Sequence, residues 1–177
     1  MKSSKVASRY AKSLLEIAIE QKNIDSVLGD MMFLLEINNQ SKDLELLIQS
    51  PIVKADKKIE IFEKIFEQFE EVSKSFVRLI TKNGRENLLP EIATSFDALV
   101  KEHKGIVPVT LISAKKLDDQ TKKSILDKVS SSVEGTIEVN EILDESLIGG
   151  FVVRMGDTQI DASISSQFNN LKQRLTR

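Results

Sequence analysis

The chain is predicted to be an α+β protein in two domains, a six-helix bundle over residues 1–104 followed by a small mixed α/β domain over 105–177 with the order β-α-β-β-α. Three observations carry this prediction. Apolar residues recur at helical spacing from residue 5 to about residue 104, then switch at Gly105 to short β-branched or alternating runs. Within the helical part, prolines, glycines and polar clusters divide the pattern into six pieces. A length of 177 residues leaves room for one or two autonomous cores.

The first helix is expected from about Ser4 to Glu20, and the second carries Ile24, Val27, Leu28, Met31, Leu34 and Leu35. A short third piece holds Leu44, Leu47 and Ile48 and stops before Pro51, because the residue preceding proline is pushed out of the helical region. The fourth is built on Ile59, Phe62, Ile65, Phe66 and Phe69, and the fifth on Val72, Phe76, Leu79 and Ile80. Asn83-Gly84 supplies a left-handed C-terminal cap to the fifth. Pro90 suits the opening turn of the sixth, where its missing N–H costs nothing, and Ile92, Phe96, Leu99 and Val100 follow at core spacing.

After Gly105 the run from Ile106 to Ile112 reads as a strand, with Pro108 placing it at an edge or in the strand's first residues. Asp118 is positioned to cap a helix with Ile125, Leu126, Val129 and Val133, and Gly135 separates it from an Ile137, Val139 strand. A third strand is expected over Leu147 to Met155, and a last amphipathic helix presents Ile164, Phe168, Leu171 and Leu175. Charge does not mark the division: there are 16 basic and 17 acidic residues before Gly105, and 9 and 10 from it onward.

Composition narrows the function. With 41% hydrophobic and 29% charged residues the chain falls in the ordinary globular range, and a net charge of −2 offers no general attraction to nucleic acid or anionic lipid. No apolar run approaches the roughly 18 residues that span a bilayer, and the N-terminus leads into an amphipathic pattern and not a signal-peptide core, so a cytosolic location is expected. The absence of cysteine removes disulfides, thiolate metal sites and cysteine nucleophiles. The single histidine, His103, lies between Glu102 and Lys104 and forms neither a metal cluster nor a conventional triad. No phosphate-binding glycine loop opens a helix. Carboxylates adjacent in sequence, such as Glu70-Glu71 and Asp144-Glu145, point in different directions on a regular element. The expectation is a protein without catalytic activity, cofactor or metal.

Binding surfaces are the better prospect. On the first helix Lys5, Arg9, Lys12, Glu16 and Glu20 fall in one polar stripe, while Val6, Ala7, Tyr10, Ala11, Leu14, Leu15, Ile17 and Ala18 form an apolar arc of roughly 200°, against the typical stripe of somewhat over 100°. Two arrangements account for such an arc. Either the helix is central and packs against several neighbours, or part of the arc lines a groove for a partner's amphipathic helix. Lys2, Lys5, Arg9 and Lys12 crowd the start of this helix against the preference of its dipole, which a partner carboxylate would relieve. The same basic residues would be the arm of a helical-bundle RNA-binding regulator of the antitermination type, a reading that balanced charge and few aromatics disfavour. Phe62, Phe66 and Phe69 recur at core spacing.

The most specific segment is Leu147 to Asp161, where Gly149-Gly150 interrupts an apolar run and Gly156-Asp157 makes a turn before Ile160 and Asp161. Glycine weakens a strand, so close backbone packing or a bulge is the physical account of the pair. Together with the Arg9 to Ala18 stretch, and with Phe76 to Arg85 followed by Leu88-Leu89-Pro90-Glu91-Ile92, this segment resembles the delta subunit of bacterial F-type ATP synthase, whose mitochondrial relative is the oligomycin-sensitivity-conferring protein. The likeness runs in order over essentially the whole chain.

The resemblance implies a non-catalytic stator subunit that ties the catalytic head to the peripheral stalk, so that rotation is coupled to ATP synthesis. It implies one copy per complex, a free form that is monomeric, and a peripheral position at the cytoplasmic side of the bacterial inner membrane, with no nucleic acid and no membrane insertion. Its N-terminal domain would grip the N-terminal helix of an alpha subunit between the first and fifth helices, through Tyr10, Ala11, Leu14 and Ala18 with Phe76, Val77 and Ile80. Its C-terminal domain would meet the b subunits, through Ile164, Phe168 and Leu171, and Gly149, Gly150, Arg154, Gly156, Asp157 and Asp161 would be its structural signature. After Asp161 the family's Gly-Ser and following basic residues are replaced here by Ala162-Ser163-Ile164-Ser165-Ser166-Gln167, so basic contacts there are lost.

Overall fold

A computed structural model of the protein describes residues 4–115, 118–130, 135–145, 147–156 and 158–175. The chain divides into two compact units, Met1–Val100 and Lys101–Arg177. Among the described residues there are eight α-helices and one four-stranded mixed sheet.

Six helices account for the first unit: α1 (Lys5–Glu20), α2 (Ile24–Gln40), α3 (Lys42–Gln49), α4 (Ala55–Ile65), α5 (Glu71–Lys82) and α6 (Leu89–His103), the last crossing the division. Their ends follow from local chemistry. Ser4 caps α1, its Oγ accepting from the Ala7 N–H at 3.2 Å, and Ser41 caps α3 in the same way through Leu44 at 3.3 Å. At the end of α5 the Gly84 N–H donates to Thr81 C=O and the Arg85 N–H to Ile80 C=O, satisfying carbonyls the helix leaves open. A short 3-10 turn, Glu86–Leu88, then leads into α6.

The fourth helix is shorter than its periodicity suggests. It ends at Ile65, and Phe66 and Phe69 lie beyond it in a turn held by the Phe66 N–H to Phe62 C=O and the Phe69 N–H to Phe66 C=O. Both rings remain buried, because the turn continues their direction: Phe66 stacks on Phe69 with centroids 4.5 Å apart, and Phe33 of α2 meets Phe69 edge-on at 6.0 Å. Around these rings Ala7, Ala11, Leu14, Ala18, Val27, Met31, Leu34, Ile80, Ile92 and Phe96 form one continuous core.

The second unit runs β1 (Ile106–Ser113), α7 (Asp119–Ser130), β2 (Thr136–Leu143), β3 (Phe151–Met155), β4 (Thr158–Asp161) and α8 (Ile164–Leu175). The sheet order is β2-β1-β3-β4, with β1 parallel to β2 and the other pairs antiparallel. This adds a strand to the β-α-β-β-α order expected from the sequence. β4 has four residues with Ile160 its one large apolar side chain, too little for a period of two to register. β1 is central and not an edge strand. Pro108 is tolerated because it sits near the strand's start, pairing with Glu138 of β2, while β3 reaches only as far as Val109. Val109 and Leu111 of β1, Val153 of β3, and Ile125 and Val129 of α7 make the core of this unit.

Candidate functional site

The first and fifth helices are neighbours and run antiparallel. Near the start of α1 the Arg85 guanidinium lies 5.9 Å from the Tyr10 ring centroid, just past the end of α5, whereas at the other end Gln21 shares a cleft with Glu71 and Val72. That cleft, of about 340 Å³, opens between the two helices and is lined by Leu14, Ile17 and Gln21 on one side and Glu71, Val72, Ser75, Phe76 and Leu79 on the other.

The residues named from the sequence divide between this cleft and the core beneath it. Leu14 and Phe76 line the cleft, though each is itself buried. Ala11, Ala18, Val77 and Ile80 lie in the hydrophobic core, and Tyr10 is half-buried at the end marked by Arg85. The apolar surface facing solvent comes from other positions, chiefly Ile17 (41% exposed) and Leu79 (52%), with the half-buried Val72 between them. The wide apolar arc of α1 is divided: Ala7, Ala11, Leu14, Leu15 and Ala18 face the interior, while Ile17 faces out. Small Ala11 and Ala18 allow neighbouring helices to pack closely, which is why they sit in the core and leave the cleft wall to larger side chains.

In the second unit Ile164 and Phe168 stand exposed on α8, at 52% and 67%, and the side chain of Leu171 lies outside the described residues. A larger cleft of about 610 Å³ separates α7 from β3 and β4, walled by Ile125, Val129, Phe151, Val153, Met155 and Ile160 and bordered by Asp118, Gln120, Thr121 and Ser124. None of its residues was singled out from the sequence as a contact. Ile160, exposed on the four-residue β4, is the clearest of those missed.

The glycine-rich segment is structural. β3 begins at Phe151 and not at Leu147, because Gly150 adopts a φ of 82°, outside strand geometry. A Cβ at Gly149 would lie 2.6 Å from Ile164 Cδ1, and one at Gly150 would meet the Ala162 carbonyl and lie 2.9 Å from Ser163 Cα. The pair thus lets the approach to β3 pack directly against the start of α8, where the Ile164 N–H donates to Gly149 C=O and the Ala162 N–H to Phe151 C=O, both at 3.0 Å. Asp161 accepts from the Ser163 N–H at 2.9 Å, and Ser163 Oγ accepts from the Ser166 N–H at 3.2 Å, capping α8. Hydrogen bonds from Ser163, through its side chain and its backbone, hold the Asp161 carboxyl below the usual aspartate range. Arg154 donates from Nε to Gln159 Oε1 at 2.9 Å across the β3–β4 hairpin. Gly156, with φ 54°, opens the turn of that hairpin, and Asp157 lies outside the described residues.

Among the described residues no group of three His, Asp or Glu is placed to hold a metal ion, and no helix is long and apolar enough to cross a membrane.

Comparison with known proteins is consistent along the whole chain. A sequence model of the ATP synthase delta (OSCP) subunit family matches residues 6–175. The ATP synthase subunit delta of Chlorobaculum parvum is 38% identical over 175 residues, covering 98% of this chain and 97% of that protein. That of Carboxydothermus hydrogenoformans is 34% identical over 173 residues, covering 98% of both. Among solved structures, a chain of the Toxoplasma gondii mitochondrial ATP synthase hexamer superposes with a TM-score of 0.75 at 21% identity, covering 98% of this chain and 99% of its own, a likeness of fold.

Proposed function

Since the chain belongs to the ATP synthase delta (OSCP) subunit family, we propose that its first unit grips the catalytic head and its second the peripheral stalk. Membership makes it a structural, non-catalytic subunit of the F-type complex, a stator that couples rotation to ATP synthesis and is peripheral to the membrane. An RNA-binding regulator has no support beside this assignment.

In this reading residues 1–104, the six-helix bundle of α1–α6, take the N-terminal helix of an alpha subunit, and residues 105–177 take the b subunits at the cytoplasmic face of the bacterial inner membrane. The observation that supports the first contact is the α1–α5 cleft, whose exposed apolar side chains Ile17 and Leu79 flank a wall formed by Leu14, Val72 and Phe76. An amphipathic helix laid there gains roughly 25 cal/mol for each Å² of apolar surface removed from water, while charges at the margin set register. For the second contact the exposed Ile164 and Phe168 of α8, together with the α7–sheet cleft, offer apolar surface.

The test is calorimetric titration of the full chain with a peptide of the alpha subunit's N-terminal helix. Saturable binding that Leu79→Asp weakens supports the groove, and binding indifferent to Leu79→Asp and Ile17→Asp removes it. Independently, Phe168→Asp should weaken capture of a soluble b-subunit fragment while sparing the peptide.

A further inference from the structure

The α1–α5 groove has two electrically different ends, and we infer that they fix the direction in which a helix lies in it. The inference rests on the groove reading above and adds the charge pattern and polarity of the occupant. At the end where α1 begins and α5 finishes, Arg85 stands over the half-buried Tyr10, and Lys82 continues the Leu79 face of α5 three residues on. Both cations are exposed. At the opposite end Glu71 lines the cleft beside Gln21, and among the described residues it pairs with Lys74, three residues further along α5, in a solvent-exposed contact at 3.2 Å that a bound partner replaces at little cost.

The flanks add to the basic end only: Arg9 accompanies Tyr10 on the exposed side of α1, whereas at its far end Glu20 and Lys22 on either side of Gln21 balance and leave Glu71 as the charge in the cleft.

The helix dipoles do not oppose this arrangement. Because α1 and α5 are antiparallel, each end of the groove carries the N-terminus of one and the C-terminus of the other, and their opposite partial charges, roughly half an elementary charge each, largely cancel. Full side-chain charges therefore decide the field along the groove.

The occupant that fits is an amphipathic helix with carboxylates at the Lys82–Arg85 end and cationic side chains at the Glu71 end. Helices are themselves stabilised by acidic residues in the first turn and basic ones in the last. A helix satisfying both requirements enters with its N-terminus at Arg85 and runs parallel to α1. The basic start of α1, unfavourable for that helix alone, is explained as one side of this complementarity.

Direction is read with the alpha-subunit N-terminal peptide carrying a nitroxide at its first residue, added to the full isotope-labelled chain. Broadening of the amide signals of Lys82 to Arg85 is the expected result, and broadening of Gln21, Glu71 and Val72 instead overturns the inference. In titrations of the unlabelled peptide, Lys82→Glu with Arg85→Glu should weaken binding about threefold to tenfold at low salt, with most of the loss gone at high salt. Binding that Leu79→Asp abolishes but the charge reversals leave unchanged overturns the direction while leaving the groove in place. If the peptide neither binds nor responds to Leu79→Asp, the groove reading fails and the direction falls with it.

Discussion

Lys58 Nζ lies 2.5 Å from Glu86 Oε1 with both side chains largely removed from solvent, at 1% and 14% exposure, and it also donates to the Ile48 carbonyl at 3.3 Å. One buried cation thus ties α4 to the end of α3 and to the 3-10 turn that leads into α6. Among the described residues Glu86 Oε2 has no hydrogen-bond partner, so the carboxylate depends on Lys58.

Removing the cation should be costly. Lys58→Met is expected to destabilise the first unit by about 3–5 kcal/mol, because it strands a buried carboxylate, whereas Lys58→Met with Glu86→Leu should recover most of the loss. Urea unfolding followed by circular dichroism compares the two variants. A single variant as stable as the double one would show that the carboxylate left behind carries no penalty.

The groove needs probes chosen by exposure. Leu79→Asp and Ile17→Asp place a charge on surface already half open to water, so they should leave the melting temperature nearly unchanged and weaken the alpha-derived peptide by about tenfold or more. Ala11→Asp and Val77→Asp put the same charge into the core and should cost about 3 kcal/mol or more of stability, so lost binding in them says nothing about contact. Thermal melts run beside each titration separate the two effects.

Gly150→Ala tests the glycine signature. Its φ of 82° and the closeness of Ala162 and Ser163 leave no room for a methyl group, and a loss of about 2–4 kcal/mol is expected. Hydrogen exchange should accelerate in β3, β4 and α8 and stay unchanged in α1–α6, with peptide binding retained. Equal acceleration in both units would contradict their separation into compact bodies.

Acid should loosen the start of α8. The Asp161 carboxyl is held below its ordinary value by Ser163, so its stabilising effect is complete above the unfolded aspartate pKa of about 3.9 and is lost as pH falls through the lower folded value. Asp161→Asn should remove that component, flattening the pH dependence of the Ser163 amide shift between neutral pH and the acid limb. An unchanged titration curve in the variant would assign the effect to another group.

Much of the molecule was legible in its residues because helical and strand periods are local. The six helices of the first unit, the Asn83-Gly84 and Asp118 end signals, and the change of pattern at Gly105 each arise from contacts a few residues apart. Phe66 and Phe69 show the limit of such reading. Their spacing correctly marks a buried row, but the same spacing survives in a turn, so it does not say where α4 ends.

The sequence by itself determined that this is an α+β chain, and the Leu147 to Asp161 segment with its companions pointed to the family, whose members are non-catalytic subunits. Only the tertiary structure decided which side of each apolar arc is covered. Periodicity reports that Ala11, Leu14 and Ile17 lie on the apolar side of α1, but their burial depends on helices far away in sequence, which close over Ala11 and leave Ile17 beside Leu79 in an open groove. The same holds for Lys58, a charged residue by composition and a core residue by position, because the carboxylate that makes its burial tolerable is supplied from 28 residues away.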